Sequence, residues 1–136
     1  MVHHRGTEDT EKNDSVVSGQ IIGAAMEVHR TLGPGLLESS YQRCLCYELV
    51  LRGVAFDREV SIPIRYKSLV MHAVYRIDLI VEGSVIVEAK AIAAIDPIHK
   101  AQLLTYLKLM DRRVGLLINF NVERLVDGIR RVVNGY

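Results

Sequence analysis

Two acidic residues and a lysine lie in the apolar parts of the segment DLIVEGSVIVEAK at residues 78–90, on either side of its EGS turn. Asp78 and Glu88 lie among Ile, Leu and Val residues, and Lys90 follows Glu88 by two positions. Buried charges are costly unless they are paired or bind an ion. Carboxylate oxygens are the ligands that hard divalent cations such as Mg²⁺ prefer. The pattern therefore predicts either a metal site with a lysine beside it or a structural ion-pair cluster at a sheet end.

Whether Asp78 and Glu88 meet depends on the turn between the two predicted strands. Side chains alternate between the two faces of a sheet, so one residue more or less in the turn changes the face. A two-residue loop pairs Asp78 with Val87, whereas a three-residue loop at residues 82–84 pairs Asp78 with Glu88. Only the three-residue loop lets the purely apolar residues of both strands share one face, and Gly-containing loops of this length are common in hairpins. The sequence therefore predicts the three-residue loop, with the two Cβ atoms roughly 5 Å apart.

Two predicted helices carry further polar residues that could complete such a site. The helix after the Glu88 strand has three on one face, at i, i+3 and i+7: His99, Gln102 and Tyr106. The segment GLLESSY at residues 35–41 places Glu38 and Tyr41 in the first turn of an earlier helix, where the helix dipole favours an acid. Taken alone, each group is more typical of an ordinary helix surface than of a site.

The elements predicted around these residues define the fold class. Residues 1–14 are polar and aperiodic and are predicted to form a flexible tail, which leaves residues 15–136 as one domain. Asp96 and Pro97 indicate a helix start, and Pro63 indicates an edge strand. The predicted helices cover about 18–32, 37–52, 96–110 and 122–133, and the predicted strands cover 54–66, 70–81, 85–91 and 114–120. The order α-α-β-β-β-α-β-α predicts an α/β fold, with a four-stranded mixed sheet flanked by helices.

Composition limits the functions that the chain can have. Its 136 residues, 49% of them hydrophobic, suffice for one domain with its own core. The net charge of +1 gives no general signal of nucleic-acid binding but allows a local basic groove. Cys44 and Cys46 diverge on a predicted helix, so neither a disulfide nor a zinc pair is expected, and free thiols indicate the cytoplasm. No apolar run reaches ~18 residues, so no contact with a membrane is expected. His29 lies on an apolar helix face and is predicted to be a core histidine.

Several segments resemble a known group of enzymes. The Asp-x9-Glu-x-Lys spacing from Asp78 to Lys90 resembles the active-site signature of the PD-(D/E)XK nuclease superfamily, and QLLTY at 102–106 is similar to the Gln-x3-Tyr motif of its exonuclease-type branch. GLLESSY looks like the signature of the GxxExxY protein family, which IIGAAMEVHRTLGPG, YRIDLIVEG and PIHKAQLLTYLKL also resemble. The resemblance covers about residues 18–120 and implies a core of order α-β-β-β-α-β.

The resemblance implies a metal-dependent phosphodiesterase that acts on nucleic acid, DNA rather than RNA, with Mg²⁺ or Mn²⁺ as the cofactor. Asp78 and Glu88 would bind the metal, with Glu38 as a further ligand. Lys90 would orient a water molecule and stabilise charge in the transition state. Two residues of the third helix, Gln102 and Tyr106, would position phosphate or solvent. The expected contacts to nucleic acid are Tyr41, Arg76, His99, Lys100 and Lys108.

Two other functions fit the same residues. One is a non-catalytic module that uses the nuclease-like fold for binding or regulation, because a fold alone does not determine function. The other is a hydrolase that uses the same metal on a small ligand. By analogy with small nucleases, a homodimer is expected.

Overall fold

Three helices and a single β-sheet make up the computed structural model, which describes the backbone of residues 2–135 and the side chains of residues 10–135. In chain order the elements are α1 (Val2–Leu32), α2 (Glu38–Leu51), β1 (Phe56–Tyr66), β2 (Leu69–Val81), β3 (Val85–Lys90), α3 (Pro97–Met110), β4 (Val114–Asn119), a 3-10 helix (Leu125–Gly128) and β5 (Ile129–Val133). The sheet order is β1-β2-β3-β4-β5. Strands β3 and β4 pair in parallel, and the other neighbours pair antiparallel. The predicted mixed α/β architecture is thereby confirmed, with five strands instead of four.

Two hydrophobic cores lie on opposite faces of this sheet. On one face, helices α1 and α2 cover a cluster that includes Val85, Val87 and Ala89 of β3. On the other face, helix α3 covers a second cluster that includes Ile86. Each fully buried Val, Leu or Ile side chain contributes about 1.5–3 kcal/mol through the apolar area that it removes from water. Strand β3 is therefore packed on both faces, and this packing fixes the positions of Glu88 and Lys90.

The turn between β2 and β3 has three residues, as the sequence predicts. Val81 pairs with Val85, Ile80 with Ile86 and Leu79 with Val87. The N–H of Ser84 donates to the carbonyl of Val81 at 3.0 Å and closes the turn. Glu82 and Gly83 adopt left-handed φ angles of 51° and 65°, a conformation that Gly adopts at no steric cost.

Helix α1 begins earlier than the sequence predicts. It runs without a break from Val2, and the polar segment ahead of Ser18 is helical. Asp14, which belongs to the predicted tail, is buried, and its Oδ2 lies 3.8 Å from Nε of Arg113. This contact supplies a tertiary anchor that a local apolar pattern does not reveal. A tail boundary after residue 14 does not match this packing.

The prediction of a last helix at residues 122–133 is wrong. The chain forms a short 3-10 turn and then strand β5, which pairs with β4 from Ile118↔Ile129 to Val114↔Val133. A Cβ atom at Gly128 would lie 2.2 Å from the carbonyl oxygen of Asn119, so the chain passes too close to β4 for a side chain. The helix-like spacing of apolar residues here serves a half-buried edge strand instead.

Beyond the Glu59–Asp78 step, strands β1 and β2 continue as a two-stranded hairpin that we call the ribbon, residues 60–77. The register leaves Glu59, with a left-handed φ of 51°, opposite Asp78. Strict alternation predicts that Ile77 shares the face of Leu79, yet Ile77 packs in the α3 core and Leu79 in the opposite core. The alternation therefore resets at the Glu59–Asp78 step, and this part of the predicted face assignment is wrong.

Candidate active site

Strands β2 and β3 separate just after the pair Leu79–Val87, and two carboxylates bridge the opening. The backbone N–H of Asp78 donates to Oε2 of Glu88 at 2.8 Å. In return, the backbone N–H of Ala89 donates to Oδ2 of Asp78 at 2.8 Å. The two side chains thus replace the backbone hydrogen bonds that a continuing ladder would make, and the odd-numbered turn brings Asp78 and Glu88 together as predicted.

One oxygen of each carboxylate is left for another partner. Within the part of the chain whose side chains are described, Oδ1 of Asp78 and Oε1 of Glu88 accept no hydrogen bond. Glu88 is 5% exposed, so its carboxylate has lost most of its hydration. A buried acid that lacks a full set of donors favours either a proton or a cation.

The electrostatics of the pair reflect this burial. Desolvation, with smaller effects from Glu38 and Glu59, raises the pKa of Asp78 to about 6, against the opposing effects of the Ala89 N–H and Lys90. Desolvation and the neighbouring Asp78 raise the pKa of Glu88 to about 8. Near neutral pH the pair therefore retains a proton unless a positive charge arrives, which is the behaviour of a cation site built from two acids.

Lys90 and Tyr106 lie close enough to the pair for their electrostatics to be linked with it. The positive charge of Lys90 opposes the rise of the pKa of both acids. Tyr106 is 6% exposed, and burial, followed by the charges of Glu88, Tyr75 and Asp78, raises the pKa of its hydroxyl. Helix α3 thus brings a tyrosine over the acids. Gln102, one helical turn earlier, is half-buried on the same side of α3.

Residues 15–132 match the PD-(D/E)XK nuclease superfamily. The chain belongs to this superfamily. No curated protein and no solved structure matches the chain. The match spans every residue of the site, and it identifies a nuclease-like domain whose relatives generally use divalent metal ions. The finer assignment to the GxxExxY family stays a prediction.

Glu38 is close to the acidic pair without joining it. It is the first residue of α2 and is exposed, and its charge contributes to the raised pKa of both Asp78 and Glu88. Among the residues with described side chains, no three His, Cys, Asp or Glu side chains are grouped closely enough to hold a metal ion. Of the three acids that the sequence analysis predicts as metal ligands, the structure therefore brings together Asp78 and Glu88.

Tyr41 does not contact a ligand surface, and its prediction as a nucleic-acid contact is wrong. Its side chain is fully buried at 0% exposure, and its ring stacks on Phe120 with centroids 4.7 Å apart. The hydroxyl donates to the carbonyl of Gly33 at 2.6 Å and accepts the N–H of Leu36 at 3.1 Å. Tyr41 therefore fixes the loop that leads into Glu38, which is a positioning role.

The other predicted nucleic-acid contacts are scattered. His99 turns back to its own helix, where Nδ1 accepts the N–H of Asp96 at 2.9 Å and so caps α3. Lys100 and Lys108 are exposed on α3, and Arg76 is exposed on the ribbon. His29 is buried and hydrogen-bonded to the Val122 carbonyl at 2.7 Å, as a core histidine should be.

Asn119 is a positioning residue that the sequence reasoning missed. It is 1% exposed and pairs with Lys90 in the parallel ladder. Its Oδ1 accepts the N–H of Ile92 at 3.0 Å, and its Nδ2 donates to the carbonyl of the same residue at 3.0 Å. The amide thereby holds the chain directly after Lys90. The available signal was a polar residue at the end of the apolar run VGLLIN.

Proposed function

We propose that this protein is a divalent-metal-dependent nuclease that hydrolyses phosphodiester bonds in DNA. The observation that carries the proposal is the pair of carboxylates at the β2–β3 opening, Glu88 buried and Asp78 half-buried, each with one oxygen held by a backbone N–H. Membership of the PD-(D/E)XK nuclease superfamily supports the same conclusion.

The chemistry of the donor set fits Mg²⁺ or Mn²⁺. The two free oxygens are hard ligands, and burial together with the neighbouring Asp78 raises the pKa of Glu88, so a cation would stabilise its charged form. Asp78 and Glu88 would hold the ion, with Glu38 as a further ligand and the Ala89 carbonyl nearby. When bound, the metal supplies a Lewis acid for the phosphate and lowers the pKa of a bound water.

The neighbouring side chains supply orientation and charge. Lys90 would hold the attacking water in line and stabilise negative charge that develops on the phosphate. Tyr106 and Gln102, one turn apart on α3, would donate hydrogen bonds to a non-bridging phosphate oxygen or to solvent. The burial of Tyr106 and the raised pKa of its hydroxyl keep it a neutral donor beside the acids.

A second candidate is a non-catalytic nucleic-acid-binding module. The observation in its favour is that the described side chains bring together two metal-binding acids and not three. Such a module would bind nucleic acid without turnover. The cleavage assay described below distinguishes this module from a nuclease.

The decisive experiment is a cleavage assay with labelled single- and double-stranded DNA and RNA in Mg²⁺ or Mn²⁺. We expect cleavage of DNA by the wild-type protein and none by Glu88→Ala or Lys90→Ala. Asp57→Asn, which removes an exposed acid of β1 outside the site, is the matched control and should cleave normally. Calorimetric titration of Mn²⁺ into wild type and Asp78→Ala measures the metal site itself.

Absence of cleavage with every polymer, together with absence of Mn²⁺ binding, refutes the nuclease. Metal-independent binding of nucleic acid without cleavage favours the module instead. The preference for DNA over RNA follows from the same assay, and analytical ultracentrifugation tests the expected homodimer. The structure describes no helix long and apolar enough to cross a membrane, and the cytoplasmic location stays a prediction.

A further inference from the structure

The ribbon presents an uncovered face with unpaired arginines. Val60, Ile62 and Ile64 of β1 turn toward the α3 core, so the residues between them turn the other way. Arg65 and Arg76 belong to this other face, because Arg76 pairs with Ser61 and Arg65 lies four residues beyond Ser61. All three of these residues are exposed.

Arg58 extends this face toward α2. Phe56 packs in the α1/α2 core whereas Val60 packs in the α3 core, because the left-handed Glu59 resets the alternation between them. Arg58, two residues after Phe56, therefore lies on the α2 side. There it lines a crease with Arg43 of α2, in a cavity of about 110 Å³.

These arginines have little internal neutralisation, unlike some arginines elsewhere in the molecule. Arg52 binds Glu48, and Arg112 donates to the Gly83 carbonyl. Within the chain whose side chains are described, Arg43, Arg65 and Arg76 form no ion pair or hydrogen bond. Arg58 approaches its neighbour Glu59 only at 4.0 Å, and both side chains are more than half exposed.

The arginine face leads to the candidate active site. The thiol of Cys46 lies in the crease with Arg58, and both Arg58 and Asp78 influence its pKa, which burial raises. Arg76 precedes Asp78 by two residues. Along β1, positions 58, 61 and 65 are separated by roughly 10 Å and 13 Å. Measured along the axis of a duplex, on which each strand carries one phosphate per ~3.4 Å, these intervals correspond to about three and four phosphates.

We propose that the uncovered face of the ribbon, with Arg65 and Arg76, and the adjoining crease, with Arg43 and Arg58, bind the phosphate backbone of DNA independently of base sequence and lead it to Asp78 and Glu88. The opposite face of the ribbon packs on α3. The ribbon therefore cannot insert into the major groove of DNA, as an isolated two-stranded β-ribbon can. Contacts therefore fall on phosphates, which position a substrate but do not specify its sequence. This inference deepens the proposed nuclease function and rests on it for the fate of the bound strand.

The test measures DNA binding separately from cleavage. Fluorescein-labelled duplex and single-stranded DNA are titrated in EDTA at several salt concentrations, with wild type, Arg65→Gln/Arg76→Gln and a control double variant. The control, Arg52→Gln/Arg131→Gln, removes the same charge from the end of α2 and from β5, at the opposite edge of the sheet. Thermal melting checks that all three proteins are folded.

We expect the ribbon variant to bind duplex about tenfold more weakly and to lower the slope of log K against log salt by about 2. The control should match wild type, and duplexes of different base composition should bind alike. Equal binding by the ribbon variant and wild type, a strong sequence preference, or no DNA binding by wild type would overturn the inference.

A cleavage assay in Mn²⁺ distinguishes failure of the inferred DNA-binding face from failure of the proposed nuclease function. Ribbon-dependent binding without cleavage sustains the inference and refutes the nuclease. Cleavage that proceeds equally in the ribbon variant sustains the nuclease and refutes the inference. Glu88→Gln serves as the bound but inactive reference, and we expect it to bind DNA as wild type does.

Discussion

The two faces of β3 have the same strand geometry and opposite chemistry. Toward α1 and α2 the strand presents Val85, Val87 and Ala89, each at most 1% exposed in a purely apolar core. Toward α3 it presents Ile86 and then Glu88, whose buried carboxylate faces another acid. The first face stabilises the fold, and the second accepts an electrostatic cost at the place where a cation would act. Alternation along one strand is therefore enough to separate stability from chemistry.

The largest expected effect separates activity from stability. Glu88→Ala should lower metal-dependent cleavage by about 10³-fold or more, because it removes half of the carboxylate pair that we propose as the metal site. The same change should leave the melting temperature of the metal-free protein equal or higher, since it removes a buried acid that lacks full compensation. Initial cleavage rates and thermal melts in EDTA measure the two effects. Normal cleavage by Glu88→Ala would show that the Glu88 face of β3 does not carry the chemistry.

The opposite outcome is expected on the apolar face. Leu79→Ala, next to Asp78 in β2 but fully buried in the α1/α2 core, should lower the free energy of unfolding by about 2–5 kcal/mol. The folded fraction should still cleave DNA and bind Mn²⁺. Urea denaturation and activity per folded molecule test this, and a specific loss of metal binding would show that the faces are not independent.

The acidic pair should also make the stability of the metal-free protein depend on pH. The folded-state pKa values of Asp78 and Glu88, about 6 and about 8, lie above the ordinary values of 3.8 and 4.5. The folded state therefore binds more protons, and stability should fall as pH rises from about 4 to about 8, by at most about 1.4 kcal/mol per unit for each proton. Denaturation in EDTA across this range tests the sign.

Glu88→Gln and added Mn²⁺ test whether the acidic pair causes this pH dependence of stability. Glu88→Gln should flatten the pH dependence of stability between about pH 6 and about pH 8, because the carboxyl group that titrates in this range is gone. Mn²⁺ should stabilise wild type more strongly as pH rises, since the ion competes with protons for the same oxygens. A slope unchanged in Glu88→Gln would assign the dependence to other groups.

The smallest expected effect concerns the loop before Glu38. Tyr41→Phe keeps the ring on Phe120 but loses the hydroxyl bonds to Gly33 and Leu36, which should cost about 1 kcal/mol of stability. If the loop positions Glu38, Mn²⁺ affinity should fall modestly as well. Urea denaturation and calorimetry measure both, and an unchanged affinity would remove Glu38 from the metal site.

The sequence predicted the central β2–β3 hairpin better than it predicted the edges of the fold. The parity of the 82–84 turn followed from the faces of two buried strands, because a buried face tolerates no change of register. The last strand, β5, was missed because its apolar spacing also fits a helix and because the close approach of Gly128 to Asn119 is a tertiary contact. The Asp127-Gly128 pair was the local turn signal that could have indicated it.

The role of Tyr41 and the reset at Glu59 could not be read from the sequence for a related reason. A tyrosine three residues after Glu38 has the same local pattern whether it faces solvent or Phe120. A left-handed Glu59 has no reliable local signal, because non-glycine residues rarely adopt that conformation. Both depend on neighbours that are distant in the chain.

The three-residue turn at 82–84 also limits how this protein can change in evolution. An insertion or deletion of a single residue there would turn Glu88 and Lys90 toward α1 and α2 and bring Val87 and Ala89 to the opening, so both the hydrophobic core and the acidic pair would be lost in one event. Two inserted residues would restore the parity. Among descendants of this chain, the length of this loop should therefore change in steps of two, or not at all.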